Sequence, residues 1–324
     1  MKKINVLITA ISSSNSLGFI WGLRKEKEME FLITGTDIYE RYLSVGAQFC
    51  DNFFKIPMCK EPSFVEILLE ICRKNTINVL VPILDEEMLV ISKRENDFLA
   101  LGTRVLLPKR EVIDICFNKL NLHSFLTRNS FPTPVIYTGP QFPETFPVIQ
   151  KLVIGRGSRD ITIIHNEEEF KKAQGKDEYL IQKYIEGQEF TVDTLSNLQG
   201  KVLITIPRLR LEIKEGKSIK AQTVRNKIIE NLAERICNAL GMVGPACLQC
   251  KLGEDGVPYF FDVNLRVGSA SILTIEAGIN IPVLAVKNIL GQKIDDICGE
   301  FRENVVMLRY WGQVFTYPDK CLEI

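Results

Sequence analysis

Within roughly the first 110 residues, short apolar runs alternate with amphipathic segments, and that alternation leaves few folds open. Residues 4–10 read as a strand, residues 12–17 as a polar, glycine-poor stretch, and residues 19–24 as the start of a helix. Residues 31–35 read as a second strand ending in Thr36-Asp37. Ser63 precedes Glu66 at the capping-box spacing, and Phe64, Ile67, Leu68 and Ile71 recur on one helical face. Residues 79–82 and 104–107 supply two more strands. The order predicts a parallel α/β module of three layers that ends near residue 110.

The texture then changes. A helix over 111–128 is closed by Phe131-Pro132-Thr133-Pro134, where helical continuation is disfavoured. Segments 148–154 and 161–165 read as a hairpin, 167–173 as a helix, and 179–185, 190–196 and 201–207 as strands. A helix over 228–240 stops at Gly241. Two strands joined by Gly253-Glu254-Asp255-Gly256, a helix over 281–290 and a strand-like stretch through Tyr310-Trp311 complete the chain. The fold class is therefore α/β followed by α+β.

Lys+Arg and Asp+Glu both number 40, so the basic excess of a nucleic-acid binder is missing. No apolar run reaches the roughly 18 residues that span a bilayer. Met1-Lys2-Lys3 before an apolar run superficially resembles a signal peptide, but the serines that follow offer no typical cleavage site, so a buried first strand is expected. The nine cysteines, scattered in apolar segments, fit reduced thiols in a cytoplasmic protein. Cys247 and Cys250 lie in a predicted strand, where residues three apart face opposite sides. With His123 and His165 the only histidines, a zinc site is not expected.

Three stretches carry chemistry. Gly155-Arg156-Gly157-Ser158-Arg159 joins two apolar segments; its glycines, hydroxyl and arginines suit a polyphosphate, and equally an exposed hairpin turn. Lys151 lies four residues before it. Gln182-Lys183-Tyr184-Ile185-Glu186-Gly187-Gln188-Glu189 is a strand running into a bend, able to read an adenine edge and ribose hydroxyls, or merely to end a strand in surface charge. The third stretch is geometric. If Asp255-Gly256 are the central residues of a hairpin turn, paired residues sum to 511 and Gln249 lies opposite Asp262. Asp262 and Asn264 then share a face, an oxygen-rich patch suited to Mg²⁺ completed by phosphates. Arg266 follows, suited to a transferring phosphoryl or an acyl-phosphate.

The order of Lys119, Lys151 with residues 155–160, residues 182–189, Gln249 and Asp262-Val263-Asn264-Leu265-Arg266 resembles the ATP-grasp superfamily, closest to the carbamoyl-phosphate-synthase large-chain-like group. The resemblance covers nearly the whole chain. It implies a pre-ATP-grasp domain over 1–110 and a two-lobed grasp over 111–324. A linker helix and small lobe would occupy 111–185, and a large lobe with the C-terminal extension 186–324. It also implies ATP with Mg²⁺, or Mn²⁺ in its place. Lys119 and Lys151 match the phosphate lysines, with Gly155, Gly157, Ser158 and Arg159 in the mobile loop. Gln182, Lys183 and Ile185 match the adenine hinge, and Glu189 the ribose carboxylate. Gln249, Asp262 and Asn264 match metal ligands. Arg266 matches the arginine on the transferring phosphoryl group, and Arg208 and Arg210 a basic strand facing the active site. For Arg208 and Arg210 the alternative is ion pairing with Glu212 and Glu215.

The expected activity is ATP-dependent ligation, in which a small carboxylic acid becomes an acyl-phosphate and an amino compound displaces phosphate. A non-catalytic ATP sensor and an ATP-dependent kinase or carboxylase are the alternatives. Neither nucleic acid nor membrane is an expected partner, and homodimers are common in the group. The sequence departs from the group's pattern at Asp262 (commonly Glu), Leu265 and Leu152 (commonly Pro), Asp160 (often Gly) and the serine-rich segment 12–16, which replaces a glycine-rich loop. No dinucleotide fingerprint is present, so the first domain is not expected to hold NAD or FAD.

Overall fold

The structure is a computed structural model and describes residues 3–138, 141–155, 157, 160–294 and 300–318. The first sheet is parallel, with strands β1 (Lys3–Ile8), β2 (Glu30–Asp37), β3 (Asn52–Lys55), β4 (Val79–Val81) and β5 (Arg104–Val105) in the order β3-β2-β1-β4-β5. Helices α1 (Ser14–Lys25), α2 (Phe64–Lys74), α3 (Asp85–Ile91) and α4 (Glu95–Ala100) lie between these strands in the chain.

Three local expectations change here. The serine stretch is the cap and first turn of α1, because Ser13 Oγ accepts from Asn15 N at 3.3 Å. The capping box at Ser63 does not form: Ser63 is itself helical and Glu66 pairs instead with Arg94 at 2.9 Å. The helix expected over 111–128 is two helices, α5 (Arg110–Phe117) and α6 (Lys119–Arg128). Asn118 is extended between them, its side chain accepting from Leu120 N and Asn121 N, which makes Lys119 the first residue of α6.

A four-stranded sheet follows: β6 (Ile136–Tyr137), β7 (Val148–Leu152), β8 (Thr162–Ile164) and β9 (Tyr179–Lys183), in the order β6-β9-β7-β8. Helix α7 (Glu167–Ala173) covers it through Phe170, which packs with Val148, Ile164 and Ile181. The six-stranded sheet is formed by β10 (Gly187–Ser196), β11 (Val202–Lys214), β12 (Lys217–Thr223), β13 (Gly244–Gly253), β14 (Pro258–Asn264) and β15 (Val306–Leu308). Its order is β14-β13-β10-β11-β12-β15, antiparallel throughout. Helices α8 (Lys227–Leu240), α9 (Ser271–Glu276) and α10 (Ile281–Ile289) complete the order, with Gly241 capping α8 at φ +65° as its position predicts.

Two large apolar cores join the first sheet to the six-stranded one. One packs Leu7, Leu80 and Cys116 in the same cluster as Phe190, Leu248 and Phe260. The other packs Ile8 and Val81 in the same cluster as Leu195 and Ile206. The four-stranded sheet has its own small core, so the molecule offers a cleft where the three sheets meet. No helix among the described residues is long and apolar enough to cross a membrane.

Candidate active site

Alternation along β10 and β11 builds one wall of the cleft. Glu189 and Thr191 of β10 and Arg208 and Arg210 of β11 all line a cavity of about 620 Å³, while Phe190, Val192 and Leu209 serve the core. Gly187, at the start of β10, has φ +135°, and a Cβ there would lie 2.0 Å from the Leu252 carbonyl oxygen. Only glycine lets β10 approach β13 so closely.

The second wall is the β13–β14 hairpin. Near its turn the pairing is Leu252 with Pro258 and Lys251 with Tyr259, and Gly253 N donates to Val257 O at 2.9 Å. The loop is therefore Glu254-Asp255-Gly256, one residue longer than the two-residue turn expected. A bulge at Phe261 then moves the register by one residue and restores Gln249 opposite Asp262 and Cys247 opposite Asn264. The bulge also puts Phe261 and Asp262 together on the cavity side, with Phe260 and Val263 in the core. Cys247 lines the cavity while Cys250 packs in the core, the opposite facings that their spacing implies. Among the described residues Cys50, Cys72, Cys116, Cys237, Cys247 and Cys250 are free thiols; Cys298 and Cys321 lie outside the described residues.

From the four-stranded sheet Lys151 enters, almost fully buried. Burial pushes its ammonium down to about 8, against the opposing pull of Asp262, with Lys119 adding to the depression. Its Nζ sits 5.1 Å from the centre of the Phe261 ring. Lys119 Nζ donates to the carbonyl of Gly155 at 2.8 Å, joining the start of α6 to the loop after β7. Gly155 and Gly157 line the cavity; Ser158 and Arg159 lie outside the described residues. Asp160 has φ +54°, the left-handed conformation that glycine favours and Asp tolerates, which accounts for that departure. Gln182 and Lys183 at the end of β9, with Ile185 between β9 and β10, complete this side.

Asp262, Asn264 and Arg266 form a row. Asn264 Nδ2 donates to Asp262 Oδ2 at 3.1 Å, and Arg266 Nη2 donates to Asn264 Oδ1 at 3.3 Å. Arg266 Nε is buried without a partner among the described residues, an unmet donor that costs about 1–3 kcal/mol unless a ligand supplies an acceptor. No three His, Cys, Asp or Glu side chains among the described residues gather into a metal cluster. The donors of Gln249, Asp262 and Asn264 are all oxygens with one carboxylate, which fits a hard divalent ion that takes the rest of its shell from phosphates and water.

The other two arginines are committed to protein. Arg208 Nε and Nη2 donate to the two oxygens of Asp193 at 2.8 and 2.7 Å, and Arg210 pairs with Glu189. Neither takes Glu212 or Glu215 as its partner, and Glu212 pairs with Lys220 at 2.8 Å. The sequence reading missed three contributors. Asp193 stands four residues after Glu189 on the same strand, a spacing that two-residue alternation makes legible. Thr274, which donates to Asp193 Oδ2 at 2.5 Å, and Arg309, which donates to Ser218 O and Ser269 O, come from distant segments with no local signal. Ser12, Ser13, Ser14 and Asn15 also line the cavity from the start of α1.

Comparison with known proteins agrees with this geometry. A family model described as ATP-grasp in the biosynthetic pathway with Ter operon matches residues 176–308. A second, described as PylC-like, N-terminal domain, matches residues 6–106. Residues 176–308 thus match an ATP-grasp family model, and residues 6–106 match an N-terminal-domain model. Among curated proteins none matches it.

Solved structures of several enzymes superpose over nearly the whole chain. The biotin carboxylase domain dimer of 2-oxoglutarate carboxylase from Hydrogenobacter thermophilus, solved with MgADP, ADP and bicarbonate, aligns with TM-score 0.72 and 17% identity over 93% of this chain and 73% of that one. The L-amino acid ligase from Bacillus licheniformis aligns with TM-score 0.71 and 19% identity, covering 94% and 78%. N5-carboxyaminoimidazole ribonucleotide synthetase from Thermotoga maritima aligns with TM-score 0.64 and 20% identity, covering 91% and 77%. At these identities the likeness establishes the ATP-grasp fold: a parallel sheet followed by two antiparallel lobes.

Proposed function

We propose that this protein is a Mg-ATP-dependent enzyme that activates a carboxylate as an acyl-phosphate and passes it to a nucleophile. The observation that carries the reading is the row from buried Lys151 through Asp262 and Asn264 to Arg266, whose Nε lacks a partner. A cation, an oxygen-only metal locus and an unmet guanidinium in one cavity are what phosphoryl transfer to a carboxylate requires.

In this reading Lys119 and Lys151 hold the phosphates, residues 182–185 frame adenine, and Glu189 takes the ribose. Gln249, Asp262 and Asn264 would hold Mg²⁺, which neutralises phosphate charge when bound. Arg266 steadies the oxygens of the transferring group through the donor that protein leaves open. The protein contributes position and positive charge, and no covalent protein nucleophile is needed.

For the finer chemistry, C–N ligation of a small carboxylic acid with an amino compound is supported by the whole-chain likeness to an L-amino acid ligase. A second reading takes bicarbonate as the activated acid. It is supported by the whole-chain likeness to a biotin carboxylase domain solved with bicarbonate. That relative is described as a dimer. ADP release under Mg-ATP, measured with carboxylate–amine pairs and separately with bicarbonate, tests both. Acceptor-dependent release supports ligation, bicarbonate-dependent release supports carboxylation, and ATP binding without release under either condition supports the sensor.

A further inference from the structure

We propose that Arg210 is a positioning residue, which holds the Glu189 carboxylate for the ribose of the nucleotide and ties it to the turn between β11 and β12. The inference rests on the Mg-ATP reading and changes what Arg210 does within it: the residue serves nucleotide recognition and makes no contact with the reacting atoms.

The register explains the meeting. Phe190 pairs with Leu209 across β10 and β11, so Glu189 and Arg210 occupy the next rung and share the cavity face. All three guanidinium nitrogens are then engaged by protein. Nη1 donates to Glu189 Oε1, Nε to Ser218 Oγ at 3.0 Å, and Nη2 to the Gly216 carbonyl at 2.7 Å. The Arg210 side chain is 5% exposed and that of Glu189 20%. Three of the five N–H donors, one on each nitrogen, are thus bonded to protein, which fixes the guanidinium in place. Arg266, by contrast, keeps a buried Nε unmet.

Glu189 is used from one side only. Its Oε1 is taken by Arg210, and no donor among the described residues meets Oε2. A ribose presents two vicinal hydroxyl donors, and a carboxylate fixed through one oxygen offers the other as their acceptor. The ion pair also lowers the cost of keeping this carboxylate in a half-enclosed wall.

The same guanidinium reaches the turn. Glu215 and Gly216 both have positive φ, +50° and +70°, and close a tight turn in which Lys214 pairs with Lys217. Arg210 grips the Gly216 carbonyl and Ser218 Oγ, while Arg309 donates to the Ser218 carbonyl at 2.9 Å. Gly216, Lys217 and Ser218 all line the cavity. Ribose recognition and the placing of this rim therefore pass through one side chain.

The test compares two probes: a non-hydrolysable ATP analogue and its 2′,3′-dideoxy counterpart, each titrated with Mg²⁺ into wild type, Arg210→Gln and Glu189→Gln. Both variants are expected to weaken the ribose-bearing probe by about tenfold, equivalent to roughly 1.4 kcal/mol, and to change the dideoxy probe by less than about twofold. Ser218→Ala, which leaves the ion pair in place and removes only one acceptor, is expected to give a smaller loss confined to the same probe. Equal weakening of both probes by Arg210→Gln would make the residue merely structural and overturn the proposal. An unchanged affinity for the ribose-bearing probe would also overturn it. Wild type that binds neither probe would overturn the Mg-ATP reading first, so the two failures are distinguishable.

Discussion

The guanidinium of Arg208 lies in a bidentate ion pair with Asp193, and both side chains are shut away from solvent. Thr274 adds a third hydrogen bond to Asp193, so an arginine on the cavity wall is fixed from behind by β10 and α9. Removing one partner leaves a buried, uncompensated charge. Asp193→Ala is therefore expected to cost about 3–5 kcal/mol in denaturant unfolding. The apolar pair Asp193→Val with Arg208→Met should recover most of that loss. A single variant within about 0.5 kcal/mol of wild type would mean that the guanidinium finds another acceptor.

Gly268 is the neighbour that gives Arg208 room. A Cβ built there would lie 2.9 Å from Cys247 Sγ and 3.1 Å from Arg208 Nη2, tighter than an ordinary contact. Gly268→Ala is expected to push the guanidinium from its place and lower acyl-phosphate turnover, with the affinity for Mg-ATP preserved. Turnover equal to wild type would show that Arg208 does not need this position.

Glu87 gives a pH prediction for the first sheet. It accepts hydrogen bonds from Thr9 Oγ1 at 2.6 Å and Leu84 N at 3.2 Å, and burial pushes its carboxyl up from 4.5 to about 7. Between those values the folded protein keeps a proton that the unfolded chain has released. Stability attributable to this group is therefore present below pH 4.5 and declines as pH rises toward 7. Glu87→Gln should flatten that part of a melting-temperature profile; an unchanged slope would place its origin elsewhere.

Lys151 gives a second dependence of the same sign, in binding. Burial lowers its ammonium to about 8, so the phosphate-binding form is complete below that value and is lost as pH rises through it. Affinity for a nucleotide triphosphate analogue should be level at lower pH and fall above about 8. Lys151→Ala should remove the dependence, and a variant that retains it would assign the titration to another group.

The sequence was most legible where local periodicity and topology agree. The parallel module and α8 with its glycine cap follow from alternation and spacing, whereas most of the residues lining the cleft were named through the family resemblance. The partnering of Gln249 with Asp262 was reached through two offsets that cancel: a turn one residue longer than expected and a bulge at Phe261. Bulges depend on packing against both faces of a sheet, which a linear pattern does not display. The split between α5 and α6 turned on one asparagine cap inside an apolar pattern that runs across it. Thr274 and Arg309 were out of reach because only the folded chain brings α9 and the segment after β15 to the arginines. The commitments of Arg208 and Arg210 to Asp193 and Glu189 became visible only with the β10–β11 register.

The account's central claim is that Lys151 and the Asp262–Asn264 row form a Mg-ATP site, and calorimetric titration of a non-hydrolysable ATP analogue tests it most directly. The titration is run with and without Mg²⁺ on wild type, Lys151→Ala and Asp262→Asn. The account predicts Mg²⁺-dependent binding to wild type that falls by at least about tenfold, roughly 1.4 kcal/mol, in Lys151→Ala. It also predicts that Asp262→Asn loses the Mg²⁺ dependence. Binding indifferent to Mg²⁺, or equal in wild type and Lys151→Ala, would contradict it.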